Sequence, residues 1–267
     1  MTNISIDSQT NLSVRRKRVL FTQPRPEGPM QSYHSLAEKF QLDLFFHPFI
    51  TIEPISALQF RKQKIAIDDY QTVLFVSRNA IEHYFRIRSE LRLKNNENMQ
   101  YVCLSAAVAQ YLNKYIVYRK RKIFYSEDGT NESLFQILEK VGEDDKSLLY
   151  VCSENQQDND IIQWLTKEQY AHSLAFMYKS ISNDLAPIMQ AAPYDIICFF
   201  TPSGVKSMFD YDPTFHQNGT VLGAFGSNTY RALNLAGLEP AIIAPSLHTP
   251  NMVVALENYL TSLMTFE

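Results

Sequence analysis

Glycine is scarce in this chain, with eight in 267 residues. Neither G-x-G-x-x-G nor G-x-x-x-x-G-K-[ST] occurs, which disfavours the common dinucleotide and P-loop phosphate sites. Three cysteines (Cys103, Cys152, Cys198) stand in apolar contexts without metal-like spacing. They read as reduced core residues of a cytoplasmic protein, not as a disulfide framework. The six histidines (His34, His47, His83, His172, His216, His248) show no paired metal spacing, so no metal site is expected. No G-x-S-x-G nucleophile elbow is present; Thr201-Pro-Ser-Gly is not one. The longest uncharged apolar run, around Ile196 to Phe200, is far short of the ~20 residues of a membrane span. Met1 to Ser13 is polar and carries no secretory signal. A net charge of −3 and a pI of about 6.1 argue against a general nucleic-acid binder.

What is present is a globular composition: 45% hydrophobic, 12% aromatic and 20% charged residues, at a length that suggests two domains. Met1 to Lys17 reads as a tail whose basic run, Arg15 to Arg18, is a solvated lead-in to the first strand. Apolar β-type runs then alternate with helical periodicity. Strands are expected around Val19–Thr22, Leu42–Ile52 (interrupted by Pro48), Val73–Val76, Tyr101–Leu104 and Ile123–Tyr125. More follow around Leu148–Cys152, Leu174–Ile181, Ile196–Phe200, Val221–Phe225 and Ala241–Ile243. This alternation predicts an α/β fold with parallel sheets covered on both faces. Trp164, on an apolar helix face, reads as core.

The chain also repeats itself weakly. Tyr70-Gln-Thr-Val-Leu-Phe-Val-Ser77 resembles Tyr194-Asp-Ile-Ile-Cys-Phe-Phe-Thr201, at an offset of 124. Leu104 to Leu112 resembles Phe225 to Leu233 at 121, and the segment around Thr130 resembles that around Thr249 at 119. Three matches in one order point to two related halves. Two β-units precede the central five and three follow it, so joining the outer ones makes two five-stranded domains. The expected division is residues 1–47 with 180–267 as domain 1, and 48–179 as an inserted domain 2. The chain would cross between them at Phe45–Ile52 and Leu174–Ile181, a natural hinge.

With these pieces assembled, the chain resembles the uroporphyrinogen-III synthase family from about Arg18 to Leu260. Tyr194-Asp195, Phe199-Phe200-Thr201-Pro202-Ser203-Gly204 and Ala224-Phe225-Gly226-Ser227-Asn228-Thr229 carry the resemblance. Thr249-Pro250 and the crossover Tyr178-Lys179-Ser180 add to it. Ile116 to Tyr125, with Tyr118-Arg119-Lys120-Arg121-Lys122, is similar to the Bacteroidota branch. The resemblance implies two flavodoxin-like domains joined by a two-stranded β linker, with the site in the cleft between them. It implies conversion of hydroxymethylbilane to uroporphyrinogen III, with loss of water, inversion of the last ring and cyclisation. It implies no cofactor and no metal. A monomer acting on this small molecule is expected, with no nucleic acid or membrane as partner.

The substrate carries eight carboxylates, yet the chain is acidic. Helix N-termini at strand ends resolve this, because their unpaired N–H groups suit anions. The candidates are Ser77, Arg78, Asn79, Ser105, Thr130, Ser153, Thr201, Ser203, Gly204, Gly226, Ser227, Asn228 and Thr229. Arg25 is a further basic candidate, and the Ser and Thr residues also read as N-caps. Tyr178 matches the family's crossover tyrosine and is the candidate acid or positioning group. Two departures stand out. Gly226 to Thr229 keeps a Gly-x-x-Thr whose counterpart, Ser105 to Val108, lacks the hydroxyl. The segment Ser153 to Asp160 bears three acids where relatives often have glycine and basic residues, so that side of the cleft is expected to bind weakly or face away. The competing reading is a non-catalytic two-domain relative that binds a tetrapyrrole or another small ligand; a flavodoxin-like regulatory module is a second.

Overall fold

A computed structural model describes residues 15–264 apart from 95, 97, 118, 143–145, 155–159, 192 and 247. The polar start, Tyr118 and the middle of the acidic segment therefore lie outside the described residues. Among those described, the elements run β1 (Lys17–Phe21), α1 (Gln31–Lys39), β2 (Leu42–Phe46), β3 (Ile50–Pro54), α2 (Ala57–Arg61), β4 (Thr72–Phe75), α3 (Arg78–Glu90) and β5 (Gln100–Cys103). There follow α4 (Ala106–Tyr111), β6 (Ile123–Tyr125), α5 (Asn131–Val141), β7 (Ser147–Ser153), α6 (Asp160–Lys167) and β8 (Ala171–Ser182). The chain ends with α7 (Ala186–Met189), β9 (Ile196–Phe199), α8 (Pro202–Tyr211), β10 (Val221–Phe225), α9 (Ser227–Leu235), β11 (Pro240–Ala244) and α10 (Met252–Met264).

The strands form two sheets, ordered β11-β10-β9-β1-β2 and β3-β8-β7-β4-β5-β6. Every pairing is parallel except β3 with β8. The first sheet has the expected five strands. The second has six, because Pro48 breaks the Leu42–Ile52 run into two strands that join different sheets. Read from β2 and from β8, both sheets show one spatial plan. The units matched by the sequence repeat, β4 with β9 and β5 with β10, occupy equivalent places. Only the entry point of the chain into each plan differs.

Burial on both faces explains the continuous apolar runs. Alternate residues feed opposite cores. Val73 and Phe75 face α3 and α4, whereas Leu74 joins Leu134, Leu138 and Leu165 of α5 and α6. In the other sheet Val19 and Phe21 pack with α1 and α10, and Leu20 with Val205 and Leu233 of α8 and α9. Cys103, Cys152 and Cys198 are buried free thiols within these layers. Trp164 is partly buried and stacks on Phe135. The basic run is the solvated lead-in expected: Arg15, Arg16 and Lys17 are exposed, Lys17 opens β1, Arg16 pairs with Asp43 at 3.0 Å, and the Arg18 backbone N–H donates to Asp195 at 2.7 Å.

The two sheets are tied by the antiparallel ladder of β3 with the last part of β8, from Ile50↔Ser182 to Pro54↔Tyr178. Both ends of the ladder are pinned. At one end Asn183 Nδ2 donates to the Pro48 carbonyl at 2.7 Å, and Phe49, fully buried, sits edge-on to Phe199. At the other, the Arg86 guanidinium donates to the carbonyls of Ile55 (2.7 Å) and Met177 (3.2 Å).

Helix α5 ends against the side chain that follows it in space. The Tyr170 hydroxyl donates to the Leu138 carbonyl at 2.6 Å, and a Cβ at Gly142 would overlap that hydroxyl and stand 2.9 Å from Tyr170 Cζ. Gly142→Ala is therefore expected to destabilise the fold by about 1–3 kcal/mol through overpacking. Adding Tyr170→Phe, which removes the nearest overlapping atom, should recover part of the loss. Thermal melts of the two variants check this; equal melting temperatures for wild type and Gly142→Ala would contradict it.

Candidate functional site

The carboxyl ends of both sheets face each other. Asn131, at the start of α5, donates from Nδ2 to Asn228 Oδ1 of α9 at 3.4 Å. Asp160, at the start of α6, pairs with Arg231 of α9. Helices α5 and α6 follow strands of one sheet and α9 follows a strand of the other, so these contacts span the cleft. Its walls are the loops and helix N-termini at the strand ends, where ligands of α/β folds bind.

Four of the candidate residues cap helices, as their residue types suggested. Ser77 Oγ accepts from the Ala80 N–H at 3.2 Å, and Ser105 Oγ from the Val108 N–H at 3.4 Å. Thr130 Oγ1 accepts from the Ser133 N–H at 3.3 Å, and Thr201 Oγ1 from the Gly204 N–H at 3.0 Å. Each satisfies one donor that its helix cannot reach. Helix α9 differs: its N-cap is Gly226, in the left-handed region at φ +85°, with no side chain to cap the turn. Ser227 is exposed and Asn228 half-buried at this open end.

Other candidates are less accessible. Ser153 and Thr229 are each 2% exposed, and Gly204 is buried where a Cβ would come 3.3 Å from Thr201 Oγ1. Ser203 is half-buried in the first turn of α8. Arg25, Arg78 and Asn79 are exposed, with Arg78 lying over the Tyr111 ring at 5.8 Å. The Val108 that replaces the expected hydroxyl is a core residue.

The α5 terminus carries its own anion. Asp128 Oδ1 accepts from the Thr130 N–H (3.0 Å), the Thr130 hydroxyl (2.8 Å) and the Ser126 hydroxyl (2.7 Å). Its Oδ2 accepts from the Ser133 hydroxyl at 2.9 Å. These bonds, led by the backbone N–H, hold its pKa down at about 2. Thr130 thus gives its proton to a resident carboxylate. The sequence offered a signal for this in Ser126-Glu-Asp-Gly-Thr130, since Asp commonly bonds the backbone two residues on.

Tyr178 lies where β8 leaves the sheet for the ladder. It is 5% exposed, with its hydroxyl 3.3 Å from Ser77 Oγ and its ring stacked on His83 at 5.2 Å. Burial pushes its pKa up to about 12, against the opposing pull of the Ser77 bond. The phenol therefore keeps its proton and is a weak acid. His83 is a contact that sequence reading missed. Burial, then the nearby Arg86 charge, lowers its pKa, and Arg86 Nε donates to His83 Nδ1 at 3.2 Å. Its ring at neutral pH is uncharged.

Among the described residues, no three His, Cys, Asp or Glu side chains converge as metal ligands. No helix among them is long and apolar enough to cross a membrane. A depression of about 450 Å³ lies along the solvent side of α1, lined by residues such as His34 and Glu38. It is open and away from the cross-cleft contacts.

A comparison with curated proteins found no match. Among solved structures, the chain is similar to uroporphyrinogen III synthase from Thermus thermophilus in a form-1 crystal of a triple variant. The identity is 16%, covering 93% of this chain and 99% of that one, with a TM-score of 0.66. The wild-type Thermus protein in a form-2 crystal gives 14% identity, 94% and 99% coverage and a TM-score of 0.51. The Helicobacter pylori 26695 synthetase gives 16%, 92% and 99%, with 0.56. These likenesses establish a shared two-domain α/β fold. A family model described as Uroporphyrinogen-III synthase HemD matches residues 31–253. With so much of its length within that match, the chain belongs to the uroporphyrinogen-III synthase family, whose work lies in tetrapyrrole biosynthesis.

Proposed function

We propose that this enzyme is a cyclising hydro-lyase. It takes hydroxymethylbilane between the two sheets, inverts the last pyrrole ring and closes the macrocycle to uroporphyrinogen III with loss of water. The observation that carries this reading is the N-terminus of α9 at Gly226, which no side chain caps and which lies beside the Asn131–Asn228 contact between the sheets. Its first-turn N–H groups and partial positive charge suit a substrate carboxylate. The Ser203 N–H of α8 has the same geometric reason to be unpaired within its helix.

Electron-rich pyrrole itself drives departure of the hydroxyl. What the protein must supply is one bound conformation, since free closure gives the unrearranged isomer. Fixed dipoles aimed at the developing charge add to this. Tyr178 serves as a positioning group through its hydrogen bond with Ser77, and its raised pKa makes it a poor proton source. We assign the exposed or half-buried groups Ser77, Arg78, Asn79, Ser105, Ser203, Gly226, Ser227 and Asn228 to the binding surface, with Arg25 at its edge. Thr201, Thr130 and Gly204 shape it from behind. The chain acts as a cytoplasmic monomer without metal or cofactor.

The described parts of residues 1–47 and 180–267 form one moving unit and those of 48–179 the other. The division is supported by hydrogen-bonded sheets joined by one ladder.

Four outcomes are expected. Supplied with hydroxymethylbilane and no added cofactor, the chain should yield mainly isomer III after oxidation and porphyrin separation. Isomer I alone at every enzyme concentration overturns the assignment. Scattering should show a more compact particle when product is bound, and identical profiles at saturation count against domain movement. Tyr178→Phe should lower kcat no more than the low end of the ~10²–10⁴-fold typical of general acids. Ser227→Pro fits the first helical position and the extended ψ of Gly226, yet deletes an N–H. It should raise KM several-fold with kcat little changed, while Ser227→Ala has a smaller effect. Loss of all turnover in Tyr178→Phe with normal Ser227→Pro kinetics would make Tyr178 the acid.

A further inference from the structure

Among the described residues near the facing strand ends, two cations already have carboxylate partners. Arg231 stands one turn beyond the open start of α9 and pairs with Asp160 of the opposite wall. Lys179, next to Tyr178 on β8, pairs with Glu154 at 3.0 Å. The two acids are the first and last of the segment that looked repulsive to a polyanion. Glu154 follows β7 directly and Asp160 opens α6.

The Arg231–Asp160 pair is poorly suited to be a permanent lock. The Arg231 side chain is 57% exposed and that of Asp160 33%. Exposed pairs of this kind contribute little and exchange readily. A guanidinium also receives a ligand carboxylate through the same planar fork that receives an aspartate. A carboxylate seated on the α9 terminus would lie one turn from Arg231 and beside Asp160, so that leaving the pair intact would place two anions together.

We propose that Arg231 is a carboxylate-positioning residue of the cleft and that Asp160 is its resident counterion, standing in for the substrate until a substrate carboxylate replaces it. This rests on the tetrapyrrole reading of the site. Glu154 holds Lys179 in the same relation at the other end of the connection.

The test compares Asp160→Asn and Arg231→Gln in the full chain, by KM and kcat for hydroxymethylbilane and by inhibition with uroporphyrinogen III at low ionic strength. Melting curves report whether each variant folds, and Asp160→Ser replaces the first should it not. Removing the counterion should lower KM and the product inhibition constant about two- to fivefold, and removing Arg231 should raise both by a similar factor, given the usual strength of exposed ion pairs. In both variants kcat should stay within about twofold. The opposite signs are the decisive readout. A clasp that merely holds the cleft closed would weaken binding in both variants, and that result, or no change in either, overturns the proposal. A wild-type chain that makes no isomer III overturns the functional assignment itself. Isomer III production with same-sign variants overturns only the role of Arg231.

Discussion

Each helix that starts at the facing strand ends begins with N–H groups its own carbonyls cannot reach. That single constraint organises the cleft. At α3, α4, α5 and α8 a Ser or Thr hydroxyl meets part of it, and at α5 Asp128 meets more. At α9 glycine leaves it unmet by any side chain. The walls are therefore unequal toward anions: one presents open donors, and the other already holds a carboxylate at a helix start. An acidic protein can accommodate an acidic ligand because local dipoles, not net charge, decide the field where the ligand sits.

Much of this was legible in the sequence. Parallel strands buried on both faces write themselves as apolar runs, and Ser77, Ser105, Thr130 and Thr201 announce helix starts by residue type and position. The repeat between Tyr70–Ser77 and Tyr194–Thr201 marks equivalent strands. Less legible was the fate of Leu42–Ile52. Pro48 marks the break locally, but nothing local sends the pieces on either side to different sheets, because the partner of Ile50–Pro54 is β8, more than a hundred residues away. The same holds for His83 against Tyr178 and for Asp160 against Arg231. Those contacts arise from how two modules meet, which no local periodicity encodes.

The buried tyrosine illustrates how environment sets a role. Family resemblance alone nominates Tyr178 as an acid. Its seat between Ser77 and His83, in a core that disfavours the phenolate, suits it better to hold geometry than to release a proton. An uncharged His83 ring adds no cation that would reverse this.

The ladder of β3 and β8 has a mechanical consequence. Two hydrogen-bonded antiparallel strands resist sliding along each other, since a slip of one residue would break every rung and turn each side chain to the other face. They resist twisting and bending far less, because a two-stranded ribbon lacks the neighbours that stiffen a wide sheet. With Asn183 clamping one end and Arg86 the other, the register of the ribbon is held at both ends. Such a ribbon opposes translation of one sheet past the other more than rotation about its own axis. An insertion of one residue on a single strand between the clamps would leave both sheets folded yet rotate one wall of the cleft out of register with the other.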